Sequence, residues 1–362
     1  MEQVLQEFRE RIAAAHAART PLRLRGGGSK DWYGGAGEGE VFDTRAYRGI
    51  VDYEPSELVV TARCGTPLAE LEDTLARQNQ MLAFEPPHFG PGATVGGMVA
   101  SGLSGPRRQG AGALRDFVLG VHLVDGRGEL LRFGGQVMKN VAGYDVSRLM
   151  AGSLGTLGLV AEVSLKVLPR PVCETTLVFE LGQQQALEKL NTWSGRALPV
   201  SSSAWQDGRL ALRLSGANAA VSAATRELGG ETMMDADRFW QDLREQRTDF
   251  FADADAAPGG LWRLALPTTS APLALPGRQL IEWGGGQRWL RSDYSLDDGL
   301  APSAIRAAAA ERGGHATLFR GGDKRPGVFS PLQPALARVH QRLKESFDPA
   351  GIFNRARMYN EF

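Results

Sequence analysis

The sequence predicts an α+β protein with more than one domain, on three observations. The chain has 362 residues, which corresponds to about two domains at the ~150 residues of a typical domain. Strand-like and helical segments follow one another in irregular order, which is typical of α+β folds. Glycine supplies 45 of the 362 residues, about 12% against a usual ~7%. The glycines cluster in the first 160 residues, so this part is expected to bind a ligand.

Composition and charge exclude several classes of protein. Hydrophobic residues make up 43% and charged residues 23% of the chain, near the average for globular proteins, and no uninterrupted apolar run reaches the ~18 residues of a membrane span. Lys+Arg and Asp+Glu both number 41, so no overall positive field would attract nucleic acid or an anionic membrane. Two isolated cysteines and five scattered histidines predict no metal site. We expect a cytoplasmic protein without a membrane anchor of its own, associated with a membrane at most through partners.

Apolar spacing and turn signals define the elements of the N-terminal part. The predicted elements are, in order, an amphipathic helix over 1–19, strands over 21–25 and 58–62, a helix that starts at Thr66-Pro67, a β-hairpin over 117–133 around Asp125-Gly126-Arg127-Gly128, a helix over 144–150 and a strand over 159–168. Glycine can supply the positive φ of the hairpin turn. In the last strand Ala161, Val163 and Leu165 alternate with Glu162 and Ser164, which predicts one apolar and one polar face.

Pro169 and Pro171 end that strand and mark a domain boundary. Beyond them the glycine loops thin out, and the predicted elements are strands over 175–179, 210–214, 261–266 and 279–283, helices over 219–228, 239–251 and 305–312, and a final helix over 334–347. This mixture predicts a second α+β domain. We therefore expect domains over residues 1–171 and 172–345, followed by a C-terminal tail over 346–362.

Four glycine-rich segments are candidate ligand loops, at 25–30, 90–105, 134–135 and 152–158. A glycine run lets backbone N–H groups converge on phosphate oxygens because no Cβ blocks the approach. Arg25, Lys30, Arg107 and Arg108 flank these loops and could neutralise the phosphate charge. One such segment is more often a tight turn, but four in one domain indicate a dinucleotide. The chain has no G-x-G-x-x-G after a strand and no G-x-x-x-x-G-K-[ST], which argues against a Rossmann domain or a P-loop.

Four segments resemble the FAD-linked oxidases of the vanillyl-alcohol-oxidase type and follow the same order. They are RGGGSK at 25–30, PGATVGGMVASGLSG at 91–105, the long segment at 139–169, and FDPAGIFN at 347–354. Within that family the chain is most similar to the FAD-binding subunits of bacterial glycolate oxidases. The resemblance implies a PCMH-type FAD-binding domain of two subdomains over 1–171, a shortened α+β cap domain over 172–345, and a tail that returns to the FAD domain.

The resemblance also implies which residues contact the cofactor. By position, 25–30 would be the first pyrophosphate loop, 94–105 the second FAD segment, and 152–160 a backbone wall beside the adenine, while Arg357 would lie near the flavin, where a cation stabilises negative charge. The implied cofactor residues are Arg25, Gly26, Gly27, Gly28, Ser29, Lys30, Pro91, Thr94, Val95, Gly96, Gly97, Ala100, Ser101, Gly102, Gly105, Gly152, Gly155, Thr156, Gly158, Val160 and Arg357. No catalytic residue is assigned.

Departures from the family pattern limit what the resemblance implies. The first loop has Ser29 and Lys30 where covalently flavinylated relatives carry a histidine, so FAD is expected to be non-covalent. Leu154 stands where many relatives have glutamate, and Arg355-Ala356 replaces a Pro-Gly pair. Residues 313–318 lack the histidine-rich GHxGDGNxH element that 2-hydroxy-acid dehydrogenase relatives use for metal and substrate. The general base of that reaction is therefore not identified.

Three functions stay open at this stage. The resemblance favours a subunit of a glycolate (2-hydroxy acid) oxidase complex that holds FAD and relays electrons, with a paralogous flavin subunit oxidising the substrate. An iron–sulfur subunit would be a further partner, because two isolated cysteines cannot hold a cluster. The second function is a free-standing FAD oxidoreductase that uses His315, Arg320, Asp323 or Lys324. The third is a scaffold that has lost FAD, which the intact glycine segments argue against.

Overall fold

The computed structural model of the chain describes residues 1–135, 144–292 and 301–361. The helices are α1 (Glu2–Ala18), α2 (Leu68–Ala76), α3 (Val95–Ser101), α4 (Arg108–Ala111), α5 (Val146–Leu149), α6 (Gln183–Ser194), α7 (Asn218–Leu228), α8 (Ala236–Arg244), α9 (Pro302–Glu311) and α10 (Pro334–Phe347). The strands are β1 (Leu22–Arg25), β2 (Glu40–Asp43), β3 (Ile50–Glu54), β4 (Val59–Arg63), β5 (Gln80–Met81), β6 (Val118–Val124), β7 (Leu130–Gly134), β8 (Leu159–Lys166), β9 (Leu168–Pro169), β10 (Cys173–Glu180), β11 (Val200–Gln206), β12 (Arg209–Gly216), β13 (Glu231–Thr232), β14 (Leu261–Ala265), β15 (Arg278–Glu282), β16 (Gln287–Arg291) and β17 (His315–Arg320). In these three ranges, no helix is long and apolar enough to cross a membrane.

The chain divides into two compact units whose bounds differ from the predicted domains in two places. The first unit contains residues 1–103, 113–169 and 331–362, and the second contains 104–112 and 170–330. Segment 104–112 belongs to the second unit, where the Arg107 guanidinium lies 2.9 Å from the Glu174 carboxylate. Helix α10 belongs to the first unit, where the Lys344 ammonium donates to the carbonyl of Thr156. Both differences from the predicted domain bounds arise because a buried charged side chain binds a partner far away in sequence.

The main sheet of the first unit is antiparallel, with β8 in its middle. Among the described residues it has five strands in the order β3-β4-β8-β6-β7. Both faces of β8 are buried, although its polar residues were predicted to form a face of their own. The buried polar groups are paired: the Tyr47 hydroxyl lies 2.6 Å from a Glu162 carboxylate oxygen, and the hydroxyls of Thr61 and Ser164 are 2.8 Å apart. The alternation of apolar and polar residues therefore predicted the two faces of β8, but it did not predict that the polar face is also buried.

Strand β1 lies between β2 and the C-terminal segment. It pairs in parallel with β2, and on its other side the Leu22 N–H donates to the carbonyl of Ile352 at 2.7 Å. Helix α1 covers this assembly, and Phe8, Ile12 and Phe353 are part of one buried apolar cluster. Each such side chain contributes about 1.5–3 kcal/mol by its burial. The loop that follows β1 is thereby fixed against the tail of the chain.

The second unit is built on one antiparallel sheet. Within the described ranges its eight strands have the order β13-β10-β12-β11-β15-β16-β14-β17. The sequence predicted parts of β10, β12, β14 and β15, and helices α7 and α9, but not α6, β11, β16 or β17. The helix predicted over 239–251 is also shorter in the structure. It ends at Arg244, because the φ of Gln246 is 54° and Phe250 turns into the core.

Candidate functional site

An elongated groove lies in the first unit, and we define it by two adjoining parts. Arg23, Gly27, Gly28, Ser29, Lys30, Asp31, Tyr33, Thr94, Ser101 and Arg357 line the first part only. Thr44, Cys64, Gly96, Gly155, Gly158, Leu159 and Val160 line the second part only. Leu24, Arg25, Gly26, Gly97, Ala100, Leu154 and Asn354 line both. The parts therefore form one continuous groove, a shape that suits an extended molecule.

The loop after β1 supplies one wall of the groove with bare backbone. A Cβ on Gly27 would lie 1.4 Å from the carbonyl oxygen of Gly92, so loops 26–30 and 90–94 pack together without room for a side chain. The φ of Gly28 is +75°, which glycine adopts without strain. Among the residues that the structure describes, none accepts a hydrogen bond from the N–H groups of residues 26–29. Such a run of free donors is suited to an oxyanion.

Helix α3 forms the opposite wall. Its N-cap is Thr94, whose hydroxyl accepts a hydrogen bond from the Gly97 N–H at 3.2 Å. A Cβ on Gly96 would lie 2.7 Å from the Cβ of Cys64, so the glycine lets the helix approach the residue after β4. Ala100 continues the same helix face along the groove. Small residues therefore keep this wall close to the first loop.

Asn354 in the tail joins the two loops on either side of the groove. Its Oδ1 accepts from the Leu24 N–H at 2.7 Å, and its Nδ2 donates to the Leu154 carbonyl at 2.5 Å. A Cβ on Gly155 would lie 2.7 Å from that Nδ2, so a side chain there would disrupt the bridge. Leu154 gives this wall an aliphatic side chain.

Arg357 holds loop 30–35, which borders the first part of the groove. We call this place the Tyr33 end of the groove. Its Nη1 donates to the Gly35 carbonyl at 2.9 Å and its Nη2 to the Lys30 carbonyl at 3.1 Å. Burial lowers the pKa of the Arg357 guanidinium; nearby Asp31 opposes this shift. Arginine remains charged at physiological pH, so Arg357 places a cation in the groove.

The groove is positively charged although the whole chain is neutral. Among the described residues, four cationic side chains and the single carboxylate of Asp31 line it, and Asp31 lies 2.7 Å from the Nε of Arg25. No histidine lines the groove within those residues, and they contain no cluster of three His, Cys, Asp or Glu side chains that could hold a metal. The groove is therefore suited to an anionic ligand.

The structure brings most of the sequence-predicted cofactor residues to this groove. Those that line it are Arg25, Gly26, Gly27, Gly28, Ser29, Lys30, Thr94, Gly96, Gly97, Ala100, Ser101, Gly155, Gly158, Val160 and Arg357. Those that do not are Pro91, Val95, Gly102, Gly105, Gly152 and Thr156. The part of the third matching segment at 139–143 lies outside the described residues.

The residues away from the groove have other structural roles. Gly102 ends α3 in the left-handed conformation, and a Cβ there would lie 2.7 Å from the backbone of Gly152, so these two glycines pack against each other. Val95 is fully buried, and Thr156 turns its hydroxyl to a backbone carbonyl. Gly105 belongs to the second unit. These residues therefore occupy packing positions in the structure, and their assignment to the cofactor stays a prediction.

Two further predicted groups also lie elsewhere. Arg107 pairs with Glu174, and Arg108 lies over the ring of Trp283, both within the second unit. The glycine pair at 134–135 ends strand β7 and is not part of the groove lining. Neither group lines the groove, and the phosphate contacts that the flanking sequence suggested for them stay a prediction.

The sequence analysis did not predict several of the residues that line the groove. Arg23 shares a face of β1 with Arg25, and this two-residue spacing could have identified it. Thr44 and Cys64 reach the groove only through the pairing of β1 with β2 and the packing of β4, so no local signal points to them. Tyr33 likewise follows the glycine loop without a motif of its own.

Cys64 is expected to resist alkylation in the folded protein. It is 2% exposed, and burial raises the pKa of its thiol to about 12, so almost no thiolate forms at about pH 8. Cys173 is partly exposed. Iodoacetamide should therefore add one carbamidomethyl group to the native chain and two to the unfolded chain, as measured by intact mass. A Cys173→Ser variant should gain none when native; rapid modification of that variant would contradict the burial of Cys64.

Comparison with known proteins agrees with this geometry. Residues 4–134 match the FAD binding domain family. The chain is 48% identical over 356 residues to glycolate oxidase subunit GlcE of Escherichia coli (strain K12), an alignment that covers 98% of this chain and 97% of that protein. The chain belongs to the FAD-linked oxidase family. Its prediction as an FAD-dependent oxidoreductase is thereby confirmed.

Other FAD-linked oxidases match over shorter stretches. Glycolate oxidase subunit GlcD of Bacillus subtilis (strain 168) is 35% identical over 36% of this chain and 27% of that protein. A D-lactate dehydrogenase of Anaerostipes hadrus is 34% identical over 40% of this chain and 30% of that protein. In solved structures, alkyldihydroxyacetonephosphate synthase matches with a TM-score of 0.65 and 15% identity, covering 96% of this chain and 74% of that chain. The predicted α+β fold of the FAD-linked oxidases is confirmed.

Proposed function

We propose that this chain is an FAD-binding subunit of a glycolate (2-hydroxy acid) oxidase complex and that it holds FAD non-covalently in the groove. The observation that carries the proposal is its 48% identity to a glycolate oxidase subunit over nearly the whole of both chains. The first unit would be the FAD-binding part and the second unit the cap domain. The groove fits the cofactor, because it is elongated, positively charged and lined by bare backbone.

The lining residues indicate how each part of FAD would be held. The free N–H groups of residues 26–29 would bind the diphosphate, since neutral donors suit an anion without making the protein basic. Leu159 and Val160 would border the adenine, and Arg357 and Tyr33 would lie towards the flavin. When bound, FAD supplies a carrier that accepts two electrons together and can release them singly. The aliphatic side chains of Leu154 and Leu159 would exclude water from its middle.

Two observations support non-covalent binding. The first loop carries Ser29 and Lys30 and no histidine, and the Lys30 ammonium donates to the carbonyl of His88 at 3.1 Å. The Cys64 thiol lines the groove, but burial raises its pKa to about 12, which keeps it in the protonated and unreactive form. The groove therefore lacks an activated histidine or thiolate for attachment among its described residues.

The same groove supports an electron relay in place of substrate oxidation. Removal of a proton from a 2-hydroxy acid needs a base near neutral pKa, and among the described lining residues there is no histidine, while the carboxylate of Asp31 is paired with Arg25. We propose that a paralogous flavin subunit oxidises the substrate and that an iron–sulfur subunit receives the electrons. The similarity of this chain to a GlcD subunit supports a common origin of two flavin subunits.

A free-standing oxidoreductase has less support. Its candidate residues lie in the second unit, where His315 is exposed at the start of β17 and Arg320 at its end lies 3.8 Å from Asp255. Asp323 pairs with the neighbouring Arg325 at 2.9 Å. Arg320 and Asp323 are therefore engaged in ion pairs, and His315 is exposed to solvent.

An absorption spectrum of the purified chain, followed by acid precipitation and anaerobic addition of glycolate, tests the proposal. We expect flavin absorbance that moves wholly into the acid supernatant, and no bleaching by glycolate until the partner subunits are added. Flavin that stays with the precipitate would contradict non-covalent binding. Bleaching of the isolated chain would contradict the relay, and a chain that takes up no FAD would leave the scaffold as the remaining function.

A further inference from the structure

Two arginines lie side by side at the Tyr33 end of the groove. A Cβ on Gly37 would lie 3.5 Å from the Cδ of Arg23 and 3.7 Å from the Cδ of Arg357, so both side chains pack on the same glycine. Both line the first part of the groove. The charge on Arg23 acts to lower the pKa of Arg357, as expected for neighbouring guanidinium groups. Two like charges are therefore held close together at one point of the groove.

Contacts with the described residues compensate this pair of charges only in part. The half-buried Arg23 side chain makes no hydrogen bond or ion pair with any described residue, and its Nε is buried without a partner. Arg357 donates to the carbonyls of Gly35 and Lys30, which are neutral. The carboxylate of Asp31 acts on Arg357 from nearby, but it is bound to Arg25 at 2.7 Å. The first part of the groove thus retains positive charge that its own residues leave uncompensated.

A buried guanidinium nitrogen without a partner is unfavourable, and a second guanidinium group beside it adds repulsion. An oxyanion removes both costs, because the planar fork of arginine matches the two oxygens of a carboxylate or phosphate. Strand β1 does not require arginine at this position, since its neighbours Leu22 and Leu24 on the other face supply the apolar packing. The pair is therefore better explained by a ligand than by stability.

We infer that Arg23 and Arg357 form an oxyanion site at the Tyr33 end of the groove, in the same part of the groove as the N–H groups of residues 26–29. The site takes a pair of phosphate or carboxylate oxygens between the two guanidinium groups. Two sources have this chemistry: the diphosphate of a dinucleotide, and the carboxylate of a small acid. Only the identity of these sources rests on the proposed function; the anion site itself rests on the two side chains.

Titration calorimetry of the full-length chain tests the site and identifies the source. Inorganic pyrophosphate is titrated into the flavin-free chain, and oxalate into the chain saturated with FAD. An Arg23→Gln variant should bind one of these anions about 10–100-fold more weakly, since a hydrogen bond to a charged group is lost. Arg23→Lys keeps the charge but loses the fork, and should show a smaller loss. The matched control is Arg48→Gln, which removes an exposed charge outside the groove and should leave both affinities unchanged.

Each outcome decides the inference. A loss confined to pyrophosphate assigns the site to the diphosphate. A loss confined to oxalate assigns it to the carboxylate of a small acid and contradicts the relay, in which a partner subunit oxidises the substrate. Unchanged affinities in a folded Arg23→Gln or Arg23→Lys chain, equal losses in Arg48→Gln, or a wild-type chain that binds neither anion would overturn it. If the wild-type chain retains no FAD but Arg23→Gln still loses pyrophosphate, the proposed function fails and the anion site stands. If wild type and Arg23→Gln retain FAD equally, and the variant binds both anions as tightly as the wild type, the proposed function stands and the anion site fails.

Discussion

A Gly27→Val variant is expected to leave purification almost free of FAD. The new Cβ would lie 1.4 Å from the carbonyl oxygen of Gly92, which is shorter than any non-bonded contact, so loop 26–30 must move away from loop 90–94. That movement displaces the free N–H groups of residues 26–29. Overpacking of this kind costs ~1–3 kcal/mol or more, which corresponds to about 10–100-fold weaker binding. The ratio of flavin to protein absorbance measures the effect, and a titration with added FAD gives the affinity.

The matched control is Gly135→Val, since a Cβ at Gly135 would have no heavy atom of the described residues within 4 Å. This variant should keep the wild-type flavin content. Circular dichroism and the midpoint of thermal unfolding separate a local effect on the groove from a general loss of folding. A folded Gly27→Val chain with an undiminished flavin content would show that the first glycine loop does not hold the cofactor.

Local sequence signals predicted the groove well where one segment supplies both the backbone shape and the small side chains. The loop at 26–30 and the start of α3 are of this kind, because their glycines are required by close approach of two backbones. Arg23, Thr44 and Cys64 have no such signal, since strand pairing brings them to the groove from separate parts of the chain. Spacing along one strand identifies which residues share a face, but only the tertiary fold determines what that face contacts.

The C-terminal tail is a second case in which the tertiary fold, and not the local sequence, determines the contacts. The resemblance marked residues 347–354 as part of the FAD domain, and the structure explains the position through charges that spacing cannot reveal. The Asp348 side chain is fully buried and accepts from the N–H groups of Ile352 and Phe353 at 2.9 and 2.8 Å. The Lys344 ammonium lies 2.7 Å from it and donates to the carbonyls of Thr156 and Phe353. This buried pair anchors the segment that continues to the groove.

An Asp348→Ala variant is therefore expected to be strongly destabilised and to bind FAD weakly. Removal of the carboxylate leaves the Lys344 ammonium buried without a counter-charge, and breaking such a pair typically costs about 3–5 kcal/mol. Two N–H groups of the tail also lose their acceptor, so the segment that carries Asn354 and Arg357 loosens at the groove. Urea unfolding measures the free energy of unfolding, and flavin titration measures the affinity.

The pH dependence distinguishes an unpaired charge from a simple loss of packing. Burial already lowers the pKa of Lys344 below its usual 10.5, and the Asp348 carboxylate opposes this shift. Without that carboxylate the native pKa falls further, so the unfolded chain binds the additional proton, and stability must rise with pH between the native pKa and 10.5. The deficit of Asp348→Ala should shrink as the pH is raised, and a Lys344→Met/Asp348→Ala double variant should be more stable than Asp348→Ala alone. Asp73→Ala, on the exposed face of α2, should change stability by less than about 0.5 kcal/mol. A deficit of equal size at every pH, unaffected by Lys344→Met, would mean that packing and not charge holds the tail against the groove.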